Sequence, residues 1–338
     1  MKVTLIGFGN LGQGLARVLL EKEEYLEKEA GVFLEIVAAV DSGGAVTDEG
    51  GIDIEELLEA GESEDTVAEY LDGGEKGTSA LEVIRNVDSD LVVELTPTSI
   101  KDGEPGLTHI KESMNLGKHV VTSNKGPLVV AFQELEKLRE DTGVEFRYSA
   151  TVGGAMPIFG LAKGQMSGDS VSEIRGVLNG TTNYILTRMS EEGAPFDVVL
   201  SEAQELGFAE EDPTLDIEGI DTAAKVTILA NAFLERNVKL DDVDVEGISR
   251  IGPKVTQLAR DTGYEVKLVG VANSDTLEVG PKLIPSGDPL AVKGSLNSVT
   301  LKTDLAKEIT ITGFGAGPRE TSSALLGDIV NIYKSVGG

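Results

Sequence analysis

The chain has no cysteine and no tryptophan, only two histidines, and few aromatic residues of any kind. Without cysteine there can be no disulfide, no thiolate–zinc site and no cysteine nucleophile. The two histidines, His109 and His119, are too few for a histidine-rich metal site. His109 falls on a predicted helix and His119 at the start of a predicted strand, where structural roles are expected. Cations are scarce as well: 29 Lys and Arg face 58 Asp and Glu, a formal charge of −29 over 338 residues. That balance excludes a free-standing nucleic-acid binder, because phosphate contacts need clustered cations. No apolar run approaches the ~18–20 residues that span a bilayer. The opening MKVTLIGFGN lacks a basic segment followed by a long apolar one. A cytoplasmic protein with no membrane partner is therefore expected. The surplus of acids reads as a solvated surface, suited to a high-salt cytoplasm.

Glycine is abundant, with 41 residues, and hydrophobic residues make up 40% of the chain. A sizeable core and about two domains are expected at ~150 residues each. The first 148 residues alternate strand and helix. Strands are predicted at 3–6, 33–40, 90–95, 119–122 and 144–148, with helices at 11–26, 54–60, 108–116 and 129–142. That rhythm predicts an α/β fold, a Rossmann-type doubly wound domain. After residue 148 the rhythm breaks. A strand at 174–178, helices at 196–206, 220–235 and 253–262, and strands at 264–272 and 277–284 predict an α+β domain over 149–304. Residues 305–338 add a strand, a glycine loop and a helix, expected to return to the first domain.

Gly7-Phe8-Gly9-Asn10-Leu11-Gly12 follows the first strand and opens a helix. Glycines at this spacing allow a tight turn, approach to a pyrophosphate, and close helix–strand packing. The helix N-terminus then presents unpaired N–H groups to the phosphates. Asp41 closes the second strand, where an acid can accept from a ribose 2′-hydroxyl and favour NAD. It lies 29 residues after Gly12 rather than the usual ~20, so NAD and NADP both stay open. In Thr122-Ser123-Asn124-Lys125-Gly126-Pro127 the lysine follows a strand, at the carboxyl edge where open sheets bind ligands. There Lys125 either donates to a carbonyl oxygen as charge develops or serves as an ordinary surface lysine.

Glu210, Asp216, Asp221 and Lys225 cluster around the start of a mostly apolar helix. Asp221 and Lys225 are four apart, so they share a face and can pair. A lysine in so apolar a helix is not expected on a solvated face. Such a set could hold an amino acid's ammonium and manage a proton. Two other signals fail: residues 242–253 begin like an EF-hand loop but end in Pro253 instead of glutamate, and Asn179-Gly180-Thr181 matches a glycosylation sequon in a chain with no sign of secretion.

Taken together these residues resemble homoserine dehydrogenases. The resemblance runs through Gly7–Gly12, Glu94-Leu95-Thr96-Pro97-Thr98, 122–127, 150–157, Leu178–Tyr184, 207–225, and Gly315-Ala316-Gly317 with Thr321. It implies interconversion of L-aspartate 4-semialdehyde and L-homoserine with NADP or NAD, in threonine and methionine biosynthesis. It further implies Lys225 as proton donor to the aldehyde oxygen and Lys125 at the junction of substrate and nicotinamide. Gly7, Gly9, Asn10, Leu11, Gly12, Asp41, Thr96, Lys125, Gly315 and Gly317 would bind the cofactor; Gly180, Glu210, Asp216 and Asp221 would hold the substrate. The family's monovalent cation (Na+ or K+) would take backbone carbonyls of Val152, Gly154 and Met156, but Ser149 stands where a glutamate would complete that site. A homodimer through the second domain's sheet is implied, and no regulatory ACT domain is expected. Aspartate-semialdehyde dehydrogenase, which shares the metabolite, needs the cysteine this chain lacks. A non-catalytic NAD(P) sensor is the competing class, and it predicts that Lys125 and Lys225 are dispensable.

Overall fold

The computed structural model describes residues 1–63 and 66–337. It divides into one unit of residues 1–151 with the segment from Gly317 onward, and a second of Val152–Ala316. Glu64 and Asp65 of the acidic stretch after Asp41, and the terminal Gly338, lie outside the described residues.

In the first unit β1 (Lys2–Ile6) leads into α1 (Asn10–Tyr25), and β2 (Glu35–Val40) follows. The helical path continues through a further turn at Leu26–Ala30, which accounts for the long spacing between Gly12 and Asp41. A hairpin of β3 (Gly44–Thr47) and β4 (Gly74–Lys76) brackets α2 (Ile54–Ser63). Then come α3 (Ala80–Asn86), β5 (Leu91–Glu94), α4 (Gly106–Asn115), β6 (His119–Thr122), α5 (Lys125–Thr142) and β7 (Phe146–Arg147). The sheet order is β4-β3-β2-β1-β5-β6-β7. From β2 to β7 the pairing is parallel, and β3 and β4 add an antiparallel edge.

Both faces of this sheet are covered, which is why its central strands are nearly continuous apolar runs. Val3 and Leu5 pack on one side with Leu15 and Leu19 and with Leu325, Ile329 and Ile332 of the chain's last helix, Pro318–Val336. Ile6 points the other way, to Val40, Ile84 and Val92. The order reverses at β1, so the crevice beyond its carboxyl end is the ligand position of a doubly wound sheet.

The second unit contains α6 (Ile158–Lys163), β8 (Val171–Val177), α7 (Gly180–Glu192), α8 (Phe196–Glu205), α9 (Thr214–Ile217) and α10 (Ile220–Phe233). After these come β9 (Asp244–Val245), α11 (Pro253–Asp261), β10 (Tyr264–Asn273), β11 (Leu277–Pro285), β12 (Leu296–Thr303) and β13 (Glu308–Phe314). The strands form one sheet, β13-β12-β8-β10-β11-β9, antiparallel except where β11 meets β9.

The structure adds elements absent from the sequence expectations, α3, α6, α7, α9 and β9 among them, and departs from those expectations in three further places. The β3–β4 hairpin was not predicted, because its strands are short and glycine-bearing. β12 was not predicted either: Leu296–Thr303 is rich in Ser and Thr, so its alternation is faint. Finally, the segment from residue 305 does not return as one piece. Residues 308–314 pair along β12 in the second sheet, and the return to the first unit comes only at Gly317.

Candidate functional site

In the first unit the three glycines of the β1–α1 turn are used differently. Gly7 has φ +102°, and a Cβ there would stand 2.8 Å from the Leu95 carbonyl carbon. At Gly12 a Cβ would collide with the Gly7 carbonyl oxygen, so this glycine lets the helix close on the strand. A Cβ on Gly9 would meet nothing within 4 Å. That open side, at the cap of α1, leaves room for a group against the free N–H donors of Asn10, Leu11 and Gly12.

Around this turn the carboxyl edge of the sheet is held by a residue that sequence reasoning quoted without a role. Glu94, fully buried at the end of β5, accepts through Oε1 from the Thr96 amide at 3.0 Å and from the Thr96 hydroxyl. Its Oε2 accepts from the Thr122 hydroxyl at 3.0 Å, and His109 lies 3.8 Å from Oε1. Asn124 donates to the Thr96 carbonyl at 3.2 Å and caps α5 through the Gly126 amide. This buried set aligns Thr96 and places Lys125 at the first position of α5.

Asp41 is engaged by its own surroundings. Its Oδ1 accepts from the Gly43 and Gly44 amides and the Thr66 hydroxyl, and its Oδ2 from the Val67 amide at 2.7 Å. Oδ1 thus carries three donors and Oδ2 one, so the less crowded Oδ2 is the oxygen that keeps room for a further hydroxyl.

The second unit gathers an acid–lysine cluster where β8 runs into α7. Lys225, only 7% exposed, sits one turn into α10. Its ammonium lies 2.6 Å from Asp221 Oδ2 and donates to the Leu178 carbonyl at 2.7 Å. The ammonium is thus held in a buried site between a counter-charge and a carbonyl acceptor. Asn179, the cap of α7, accepts from the Thr182 amide and donates to Asp216 Oδ1 at 2.6 Å and Asp221 Oδ2 at 3.0 Å. One side-chain amide thus bridges the two aspartates. Burial, and then the neighbouring Asp221 charge, push the Asp216 carboxyl above the usual range.

Of the residues predicted for substrate, Asp216, Asp221 and Lys225 therefore come together, and Gly180 opens the helix beside them, its Cα facing the Ser295 carbonyl. Glu210 does not join them. It is exposed, and among the described residues no hydrogen bond or ion pair links its carboxylate to the cluster. Asn179 was missed because its sequence context advertised a sequon and a turn; the cap position ahead of α7 was the available signal.

The loop 152–156 and the Gly315 loop approach each other within this unit. A Cβ on Gly154, at φ +53°, would meet the Gly315 carbonyl carbon at 2.7 Å, and the Ala155 amide donates to Phe314. The Met156 carbonyl already accepts from Ile158 at 2.8 Å. In the first unit Ser149 donates to both oxygens of buried Asp328. Among the described residues no group of three or more acidic, histidine or cysteine side chains is placed to hold a metal ion. Gly317, at φ +122°, caps the last helix, so a side chain there would be strained.

Comparison with known proteins matches both halves of the chain to one family. The family model described as homoserine dehydrogenase matches residues 157–330, and that of the homoserine dehydrogenase NAD-binding domain matches residues 7–149. The homoserine dehydrogenase of Methanocaldococcus jannaschii is 49% identical over 99% of both chains. An NAD(+)-dependent homoserine dehydrogenase of Pseudomonas canavaninivorans is 37% identical, covering 99% of this chain and 96% of that one. Among solved structures, a putative homoserine dehydrogenase from Archaeoglobus fulgidus superposes with a TM-score of 0.91 at 40% identity, covering 98% of this chain and 99% of the other. A hyperthermophilic archaeal homoserine dehydrogenase in complex with NADPH gives 0.86 at 27% identity, over 99% and 98%.

Proposed function

The chain belongs to the homoserine dehydrogenase family, and we propose that its acid–lysine cluster, centred on Lys225, carries the proton chemistry of that reaction. It is an NAD(P)-dependent oxidoreductase that interconverts L-aspartate 4-semialdehyde and L-homoserine. A bound nicotinamide would supply the hydride chemistry at the aldehyde or alcohol carbon.

The rest falls to the chain's own groups. As the carbonyl carbon is reduced, its oxygen gains charge and needs a cation and a proton. Lys225 supplies both, its ammonium being positioned by the Asp221 carboxylate and the Leu178 carbonyl. In the reverse direction the amine takes the alcohol proton. Asp216 and Asp221 receive the substrate ammonium beside Gly180, and Glu210 joins them only if its exposed side chain turns inward. In the first unit the Gly7–Gly12 turn, with Asn10 and Leu11, holds the pyrophosphate, and Thr96 and Lys125 line the nicotinamide side. Asp41 offers Oδ2 to the ribose, and Gly315 and Gly317 give backbone access to the cofactor. No step runs through a monovalent cation.

The observation that carries this reading is the buried ammonium of Lys225 held between the Asp221 carboxylate and the Leu178 carbonyl. L-Homoserine oxidation followed by nicotinamide absorbance, with NAD and NADP in parallel, tests it. Turnover that collapses in Lys225→Ala while cofactor binding persists is the expected result; undiminished turnover in that variant overturns it.

Three finer readings belong here. A homodimer through the second sheet is supported by the exposure of Leu283 and Phe314 on β11 and β13, and sedimentation tests it. No described helix is long and apolar enough to cross a membrane, which supports a cytoplasmic place. The charge of −29 supports work at high salt, and equal activity and stability at millimolar and molar salt would remove that reading.

A further inference from the structure

Behind the Lys225 cluster, on β12, lies Asn297, 1% exposed. Its Nδ2 donates to the Leu178 carbonyl at 2.8 Å, the same oxygen that accepts from the Lys225 ammonium at 2.7 Å. A carbonyl can only accept, so this contact fixes which end of the amide is NH2. The other end, Oδ1, is buried with no hydrogen-bond partner. An orphaned buried acceptor is uncommon and persists where the surroundings hold it.

What holds it is visible. Directly over the amide lies Gly315, where any Cβ would overlap the Asn297 side chain. The glycine that the family resemblance assigned to cofactor approach is thus also required by Asn297.

The Leu178 carbonyl belongs to the peptide plane that joins Leu178 to Asn179. Both lone pairs of that oxygen are taken, one by Lys225 and one by Asn297. Asn179, across the same plane, bridges Asp216 and Asp221. Gripping this one peptide therefore sets the acceptor of the lysine and the starting point of the bridge between the acids. We infer that Asn297 is a positioning residue for the reaction: by clamping the Leu178–Asn179 peptide it aims the Lys225 ammonium, without itself touching substrate.

This rests on the role proposed for Lys225. If Lys225→Ala leaves turnover intact, that role fails first, and the Asn297 measurements are read only where that variant is impaired. In Asn297→Ala, kcat for L-homoserine oxidation is expected to fall about tenfold or more, with KM for homoserine within about threefold and cofactor binding unchanged. The solvent deuterium isotope effect on kcat should rise, because a poorly aimed amine makes proton transfer slower. In the Lys225→Ala background the same substitution should lower the residual rate less than about twofold, since there is no ammonium left to aim. Asn297→Asp keeps the shape and removes the donor, so it should show the same pattern if Asn297→Ala does not fold. The inference is overturned by an unchanged kcat and isotope effect, or by an equal loss in the presence and absence of Lys225. Failure of both variants to bind cofactor would make Asn297 a structural residue and overturn it too.

Discussion

Two lysines are buried in the second unit, one beside the start of α7 and one against its middle, and their surroundings differ in kind. Lys225 has an aspartate at 2.6 Å, a carbonyl at 2.7 Å and a second aspartate bridged to the first. Lys267, on β10, is fully buried and donates to neutral acceptors, Asn183 Oδ1 at 2.8 Å and Thr187 Oγ1 at 3.2 Å, with Glu265 and Glu191 acting on it through charge alone. Burial pushes its ammonium down to about 8. Both are costly to bury. The difference teaches that a buried amine marks chemistry through its partners: Lys225 keeps a counter-charge within a pair of bridged acids, whereas Lys267 joins a strand to a helix.

The comparison is broken most severely by removing the first amine. Lys225→Ala should lower kcat by about 10²–10⁴-fold, the usual contribution of a positioned acid–base group, with cofactor affinity kept. Steady-state kinetics and cofactor titration check it. Were Lys267→Met equally damaging to kcat, the contrast between the two lysines would collapse.

A smaller change sharpens it. Asp221→Asn keeps an acceptor for Lys225 but removes its counter-charge, and a loss of about 10- to 100-fold in kcat is expected. The same substitution removes a like charge next to Asp216. Its carboxyl should then move back toward the usual aspartate value, though not fully, because desolvation is the larger cause. Carboxyl NMR titration of the variant reads this directly, and an unmoved Asp216 would mean the two acids are not coupled.

Much of this was legible in the sequence, for local reasons. The glycine turn could be placed because spacing, strand and helix coincide within about a dozen residues. Asp221 and Lys225 could be paired because i,i+4 geometry is fixed by the helix. What could not be read is long-range. Asn297 reaches a carbonyl 119 positions away, and Lys267 reaches Asn183 across 84, so no window of sequence contains either contact. Glu94 was visible only as one letter in a motif, because its role lies in buried bonds to Thr96 and Thr122. Glu210 shares a block of sequence with Asp216 and Asp221 but stands exposed and apart from the cluster.

Lys267 supplies the smallest and most discriminating effect. Its folded value of about 8 lies below the ordinary 10.5. Below about pH 8 the amine is charged in both states, and the 2.5-unit gap costs the folded state roughly 3 kcal/mol. Between the two values the unfolded chain holds more protons, so stability rises with pH. Above 10.5 both states are neutral and the penalty is gone. Lys267→Met removes the penalty but leaves Asn183 Oδ1 and Thr187 Oγ1 without their donor, at roughly 1 kcal/mol each. The variant should therefore be more stable than the parent by about 1 kcal/mol at pH 7 and less stable above about pH 10, with kcat within about twofold. Urea unfolding at the two pH values decides it. A variant that is less stable at both would show that Lys267 holds α7 to β10 by more than it costs to bury, and that its low proton affinity is not felt in folding.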